Sequence, residues 1–197
     1  YDWNGRDVWN LNPYWVLNEM TNESGKDKFM GSALVRYNVN EHFKIQVTGG
    51  ADINFMNFQD YAAPTSPGFE QGQLQISDFK NRMYNIEALA IYNNSYKKFD
   101  YGVTIGGNLY KVDNKTQIVT AKEMVMRDVI ALQSFTSKEI TEGTYRKQIN
   151  SLYGSINLAY GNFVYLDATL RGDHSSTLPS GNNTYLYPSV SGSFLFS

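Results

Sequence analysis

The chain of 197 residues has no cysteine. That excludes disulfides, thiolate metal sites and cysteine nucleophiles together. It has two histidines, His42 and His174. It has no HExxH, GxSxG or glycine-rich phosphate loop, so the common catalytic signatures are missing. An excess of one charge sign is missing as well. The net charge is −2 with no basic run, which argues against a nucleic-acid partner. Long apolar runs are also lacking: no stretch approaches the roughly 18 consecutive apolar residues of a membrane helix. This leaves membrane strands open, because they hide apolar residues at every second position. The start, Tyr1-Asp2-Trp3-Asn4-Gly5, has neither the basic head nor the apolar core of a signal peptide. The end, Phe194-Leu195-Phe196-Ser197, stops inside an alternating run. Both ends therefore read as cut.

What the chain does have is aromatics, at 15% with 15 Tyr and 11 Phe. Strands and membrane interfaces both favour these residues. It also has parity. From Phe43 to Phe55 the odd positions are Phe43, Ile45, Val47, Gly49, Ala51, Ile53 and Phe55, and the even ones are Lys44, Gln46, Thr48, Gly50, Asp52 and Asn54. Successive side chains of a strand point to opposite faces, so one face is apolar and the other polar. The same pattern predicts seven strands, near 29–37, 43–57, 82–92, 99–110, 148–160, 163–171 and 187–196. The links between them alternate. Short ones fall at 38–42, 93–95 and Gly161-Asn162. Long loops fall at 58–80, 112–146 and 173–185, and residues 1–27 read as loop. Thr120-Ala121-Lys122-Glu123 has the form of a helix capping box, although Val125, Val129 and Ile130 suit a strand extension equally.

In an up-and-down barrel every second link lies on one rim. Short turns at one end and long loops at the other are the habit of outer-membrane barrels. Tyr37, Phe43, Tyr92, Phe99, Tyr160 and Phe163 gather beside the short links, where an interfacial girdle would place them. A soluble β-sandwich shares the alternation. Two features favour lipid over a sandwich core: several Gly and Ala on the apolar faces, and strands that reach the roughly 9–11 residues of a tilted spanning strand. A parallel β-helix would need a short repeat, and none is present. The expected fold is all-β: an antiparallel, up-and-down transmembrane β-barrel segment of about seven strands, part of a larger barrel.

The tail carries more specific motifs. Arg171-Gly172-Asp173-His174-Ser175-Ser176-Thr177-Leu178-Pro179 is followed by Tyr185-Leu186-Tyr187-Pro188-Ser189-Val190-Ser191. This resembles the SusC-like TonB-dependent transporters of Bacteroidetes outer membranes, whose barrels carry an R-x-D-x-S-S-T-L-P stretch followed by Y-x-Y-P-S-V-S. Asn12-Pro13-Tyr14-Trp15, with Asn18 beyond it, is similar to the family's NPYW…N segment. Asp27-Lys28-Phe29-Met30-Gly31 is similar to D-R-F-x-G, with Lys in place of Arg. Ile149-Asn150-Ser151-Leu152-Tyr153-Gly154-Ser155 fits as well. The resemblance implies a parent several times longer, with a plug domain that this chain lacks and a barrel of about twenty-two strands. It implies import of a glycan or peptide across the outer membrane, driven by TonB through the plug, under a SusD-like surface lipoprotein. The remainder of the barrel and the outer-membrane lipid would be the other partners. No enzyme activity, cofactor or metal is implied.

Binding residues concentrate on loops held by a rigid scaffold. Tyr61, Phe69, Phe135, Tyr145, Tyr185 and Tyr187 are therefore the candidates for stacking on a sugar or touching a peptide. Asp167 and Arg171 share the polar side of one strand, and Asp173 follows them. In the resembling family such a wall surrounds the plug. Asp52, Glu87 and Asp100 also fall on polar positions. A glycosidase would need two carboxylates straddling a sugar bond, and no spacing here supports that. Arg171-Gly172-Asp173 spells an adhesion tripeptide, which reads more simply as a strand end.

The alternatives are a soluble β-sandwich that binds carbohydrate and a passive porin-type or adhesin barrel. The sandwich predicts that these 197 residues fold cooperatively in plain buffer. The barrel segment predicts aggregation there, because long strand edges are exposed. Expression of the piece alone, followed by size-exclusion chromatography without detergent, separates the two. A monodisperse monomer would overturn the barrel reading.

Overall fold

The structure, a computed structural model, describes residues 12–127, 129–179 and 181–196. One short helix, α1 (Pro13–Glu19), precedes seven strands: β1 (Met20–Asn38), β2 (Phe43–Ala62), β3 (Gln73–Tyr96), β4 (Phe99–Met124), β5 (Phe135–Tyr160), β6 (Val164–Ser175) and β7 (Thr184–Phe194). They form one sheet in the order β1-β2-β3-β4-β5-β6-β7, so every strand pairs with its neighbours in sequence. The expected up-and-down barrel segment is what is found.

The strands are longer than their hydrophobic pattern. β4 and β5 have 26 residues each. At ~3.3 Å per residue that is ~85 Å of strand, against the roughly 25 Å apolar band of an outer-membrane barrel. The stretches 58–80 and 112–146, expected as long loops, are therefore mostly strand, and their true links are only 63–72 and 125–134. The loop expected at 173–185 shrinks to 176–183, and residues 20–27, expected as loop, belong to β1. Residues 120–124 extend β4 and form no helix. Where both faces of a strand are polar, backbone pairing continues while the period-2 signal disappears. The part of the first loop at residues 1–11 lies outside the described residues. At the other rim the links are short, at 39–42, 97–98 and 161–163. In the last of these Gly161 and Asn162 have φ of 59° and 64°, and Phe163 N–H donates to the Tyr160 carbonyl at 3.2 Å. Two left-handed central residues match the twist of a tight hairpin.

Two compact units divide the chain. The first comprises Tyr1–Lys28, Ile53–Asn81 and Asn114–Tyr145. It has a small closed core of Tyr61, Ala63, Leu74, Ala121 and Phe135, against which Trp15, Ile76, Met124 and Leu132 pack. Asn12 caps α1 by accepting from Tyr14 N–H at 3.0 Å, and Pro13 occupies the first turn, where its missing N–H costs nothing. The helix is seven residues long, too short to stand alone in water. It is held from outside: Trp15 Nε1–H donates to Ser66 Oγ at 2.9 Å, and Ala63 N–H donates to the Glu19 carbonyl at 2.8 Å.

The second unit comprises Phe29–Asp52, Arg82–Asp113 and Arg146–Ser197. It has no layer of protein over its apolar face among the described residues. Ile45 and Leu166 are 41% and 44% exposed, and Val103 is half-buried. A β-sandwich would bury all three under a second sheet, so that alternative falls.

Among the described residues Phe135 is the largest fully buried side chain, at 2% exposure. Phe135→Ala should destabilise the first unit by about 3–5 kcal/mol through lost burial and a residual cavity. Hydrogen exchange in the full-length parent reports this as faster exchange of the 118–136 amides. Unchanged protection there would mean that the cluster contributes little.

Candidate functional site

The faces of the second unit follow from its register. Ser151 pairs with Asp173, Tyr153 with Arg171 and Asn157 with Asp167. On the far side of β6, Asp167 pairs with Ser191, Arg171 with Tyr187 and Asp173 with Tyr185. Paired residues share a face, so these side chains lie on one polar surface. The other face carries Leu152, Ile156 and Leu158 of β5, Leu166, Ala168 and Leu170 of β6, and Leu186, Val190 and Gly192 of β7.

Arg171 is the hub of the polar face. Its Nε–H donates to Asp173 Oδ1 at 2.7 Å and its terminal nitrogen to Ser151 Oγ at 3.1 Å. Its guanidinium lies 5.6 Å from the Tyr153 ring centroid, within cation–π range. The Tyr153 hydroxyl in turn donates to Glu87 on β3, reaching across β4. That reach exists because position 106 is glycine. A Cβ there would stand 2.5 Å from Leu89 Cδ2 and 2.7 Å from Tyr153 Cε2, so the Tyr153 ring edge occupies the space that a side chain at 106 would need. Gly102 is a second hollow, where a Cβ would meet Asn93 Oδ1 at 2.6 Å. Further along the same face Asn157 donates to Asp167, Asn108 donates to Asn85 at 2.8 Å, and Arg36 donates twice to Gln46 Oε1, at 3.1 and 2.8 Å. The Arg171 side chain remains 48% exposed. An exposed ion pair of this kind contributes at most about 1 kcal/mol, so its main effect is to fix where the guanidinium points. The arrangement is a polar wall with residual hydrogen-bonding capacity. It contains no nucleophile–base pair.

Of the residues the sequence singled out, Asp167, Arg171, Asp173, Tyr185 and Tyr187 are brought together on this wall. Asp167 and Arg171 share the face but bond to different partners. The tripeptide Arg171-Gly172-Asp173 lies within β6, its charged members bonded to each other and Gly172 turned to the apolar side beneath Leu186. Tyr145 is an exposed position of β5, and Phe69 is a half-buried residue of the β2–β3 link. Tyr61 and Phe135 need correction. Both are buried in the core of the first unit, where neither is free to stack on a ligand, because strand ends close over them where loops were expected. The Tyr61 hydroxyl points at Met124 Sδ, 3.5 Å away. Burial and the Glu19 carboxylate push its pKa up, with Arg127 acting the other way. Tyr153, Ser151 and the bridging role of Glu87 were not singled out. The signal was an aromatic at a polar position of β5, opposite a glycine of β4.

No family model matches the chain. It is 22% identical over 187 residues to the TonB-dependent receptor P26 of Formosa agariphila, a match covering 90% of this chain and 19% of that protein. Among solved structures, the RagAB peptide transporter and the RagAB peptide importer in its open-open state are similar to it, each with a TM-score of 0.83 at 17% identity, over 92% of this chain and 21% of the matched one. The chain thus spans about a fifth of the length of the relatives it matches (19% and 21%). The fold is that of part of the matched RagAB structures, an antiparallel up-and-down β-barrel segment, and the resemblance to SusC-like TonB-dependent transporters stands.

Gly106→Val should displace the Tyr153 ring and cost about 1–3 kcal/mol, the range for forcing extra carbons into a packed position. Thermal unfolding of the detergent-solubilised parent measures it. In the Gly106→Val background Tyr153→Phe should then have no further effect, since the bond to Glu87 is already lost. Full additivity of the two changes would show that the hollow does not position the ring.

Proposed function

We propose that this chain is part of the barrel wall of an energy-coupled importer in the cell outer membrane. The observation that carries the reading is the two-faced sheet of the second unit, apolar and uncovered on one side, hydrogen-bonded and polar on the other. In this reading hydrocarbon is the solvent for Ile45, Val103 and Leu166, and the wall of Arg171, Tyr153, Glu87, Asp167 and Asp173 faces the lumen. There it lines the space that a plug domain of the parent fills. Arg171 and Asp167 are the natural partners for polar plug residues, and Tyr185 and Tyr187 stand on the same surface. TonB acts on the plug from the other side of the membrane, and a SusD-like lipoprotein closes the outer rim. The cargo is a glycan or a peptide, and the similarity to a peptide importer favours the peptide. Transport requires no covalent chemistry from this wall. The TonB-dependent relative supports coupled uptake over a passive porin.

The full-length parent, expressed with its own leader and fractionated, should be recovered in the outer membrane and extracted only with detergent. Recovery in the soluble fraction without detergent would overturn the proposal. Loss of uptake in cells lacking TonB separates the importer from the porin, which would be unaffected.

A further inference from the structure

The apolar face of the second unit has one charged border. β4 contributes Phe99, Tyr101, Val103, Ile105, Gly107 and Leu109 to that face, then Lys111 and Asp113. From Phe99 to Leu109 the strand rises ~33 Å, or ~24 Å across a membrane at a tilt of about 45°, which is the height of an apolar barrel band. Lys111 and Asp113 therefore stand where hydrocarbon ends.

The neighbouring strands repeat the change at the same level. Gly106 lies against Leu89 on one side and Tyr153 on the other. Carried along the strands, this register sets Arg82 of β3 and Arg146 of β5 on either side of Asp113. The second pairing is direct, with Arg146 Nε 3.8 Å from Asp113 Oδ1. Below these charges β3 presents Tyr84, Ile86, Ala88, Ala90 and Tyr92, and β5 presents Leu152, Gly154, Ile156, Leu158 and Tyr160. Among the described residues of this unit, Arg82, Lys111, Asp113 and Arg146 are the Lys, Arg, Asp and Glu residues on the apolar side, and all four fall on this one border. The opposite border is aromatic: Phe99 packs on Tyr160 at 4.6 Å, Tyr160 on Phe163 at 5.5 Å and Phe163 on Phe194 at 5.9 Å.

Within this unit the border carries three cations and one carboxylate. Arg146 is 67% exposed and its contact with Asp113 is long, so its guanidinium is available outward. At the edge of hydrocarbon the complementary species is anionic. We infer that Arg82, Lys111 and Arg146 form a binding site for the phosphate of an anionic lipid head group in the leaflet that meets this border. The inference rests on the proposed membrane reading. Asp113 stands between the two arginines in the register, with only Arg146 within ion-pair distance of it. Guanidinium and ammonium groups both donate charge-assisted hydrogen bonds to phosphate oxygens, and a basic cluster at a membrane surface gains roughly 1 kcal/mol per cation from anionic lipid.

The test uses the full-length parent in nonionic detergent, wild type against Arg82→Gln/Lys111→Gln/Arg146→Gln, with Lys44→Gln on the other face as control. Phosphatidylglycerol, phosphatidylcholine and inorganic phosphate are added in turn, and thermal unfolding is followed. Phosphatidylglycerol should raise the wild-type and control midpoints by about 3 °C or more, by preferential binding to the folded state, and the triple variant by less than half of that. Phosphatidylcholine should not distinguish the variants, and inorganic phosphate at matched ionic strength should do nothing. Arg82→Lys/Arg146→Lys, which keeps the charges, should retain most of the shift and guards against a triple variant that misfolds. Equal phosphatidylglycerol shifts in wild type and triple variant, loss of the shift in the lysine variant, or a wild-type shift reproduced by inorganic phosphate would each overturn the site. Should the parent prove soluble without detergent, the membrane reading itself fails. Should it need detergent yet show equal shifts, only the lipid site fails.

Discussion

Backbone hydrogen bonding is the constraint on which this structure rests. In hydrocarbon an unmet N–H or C=O costs roughly several kcal/mol, so a spanning strand must be paired along its whole length on both sides. The order β1-β2-β3-β4-β5-β6-β7 gives each of the five inner strands a neighbour on both sides, and β5 pairs with β6 over Ile149–Tyr160, the stretch that carries its apolar residues. The same requirement shapes the sequence. Once the backbone is satisfied by neighbours, one face is free to be apolar and the other to carry Arg171, Tyr153 and Glu87. The glycines at 102 and 106 are tolerated inside β4 because neighbouring side chains, including Asn93, Leu89 and Tyr153, fill the space that a Cβ would take.

The first unit is held by side-chain packing. It closes a small core of Leu74, Ala121, Phe135 and Tyr61 and recruits α1 through Trp15 and Ser66. The NPYW segment thus acquires a physical account: the asparagine caps, the proline opens the helix and the tryptophan docks it. The contrast between the units is one of exposure. In one, exposed Ile, Leu and Val are the norm. In the other, Phe135 and Leu74 are shielded by protein.

The apolar face of the second unit was legible in the sequence, because a strand with one apolar and one polar face imposes parity. Phe43 to Phe55 and Phe99 to Leu109 declared their strands without ambiguity. Outside that stripe parity fails or runs too short. Asn114–Met124 has polar residues on both faces, so it reads as a loop although it is a paired strand. Gln73–Ser77 does alternate, with Leu74 and Ile76 on one side, but the run is only five residues long and follows the Pro- and Gly-rich link. The polar wall was half legible. Asp167, Arg171 and Asp173 share a parity and a strand, and Tyr185 and Tyr187 join them by hairpin register. Tyr153 and Glu87 meet across an intervening strand, a relation set by the register between strands and by the absence of a side chain at Gly106. Tyr61 and Phe135 misled because an aromatic in a supposed loop looks available, whereas a strand end can fold it inward.

The sequential strand order has a kinetic consequence. Each strand needs only the one made just before it, so assembly proceeds by adding hairpins to a growing edge, with no distant segment to search for. Loop-closure entropy grows slowly with length, and links as short as Gly161-Asn162-Phe163 keep each step small. A wall built this way lengthens or shortens by whole hairpins without altering those already in place. Barrel circumference is then a quantity that evolution can change by duplication, two strands at a time.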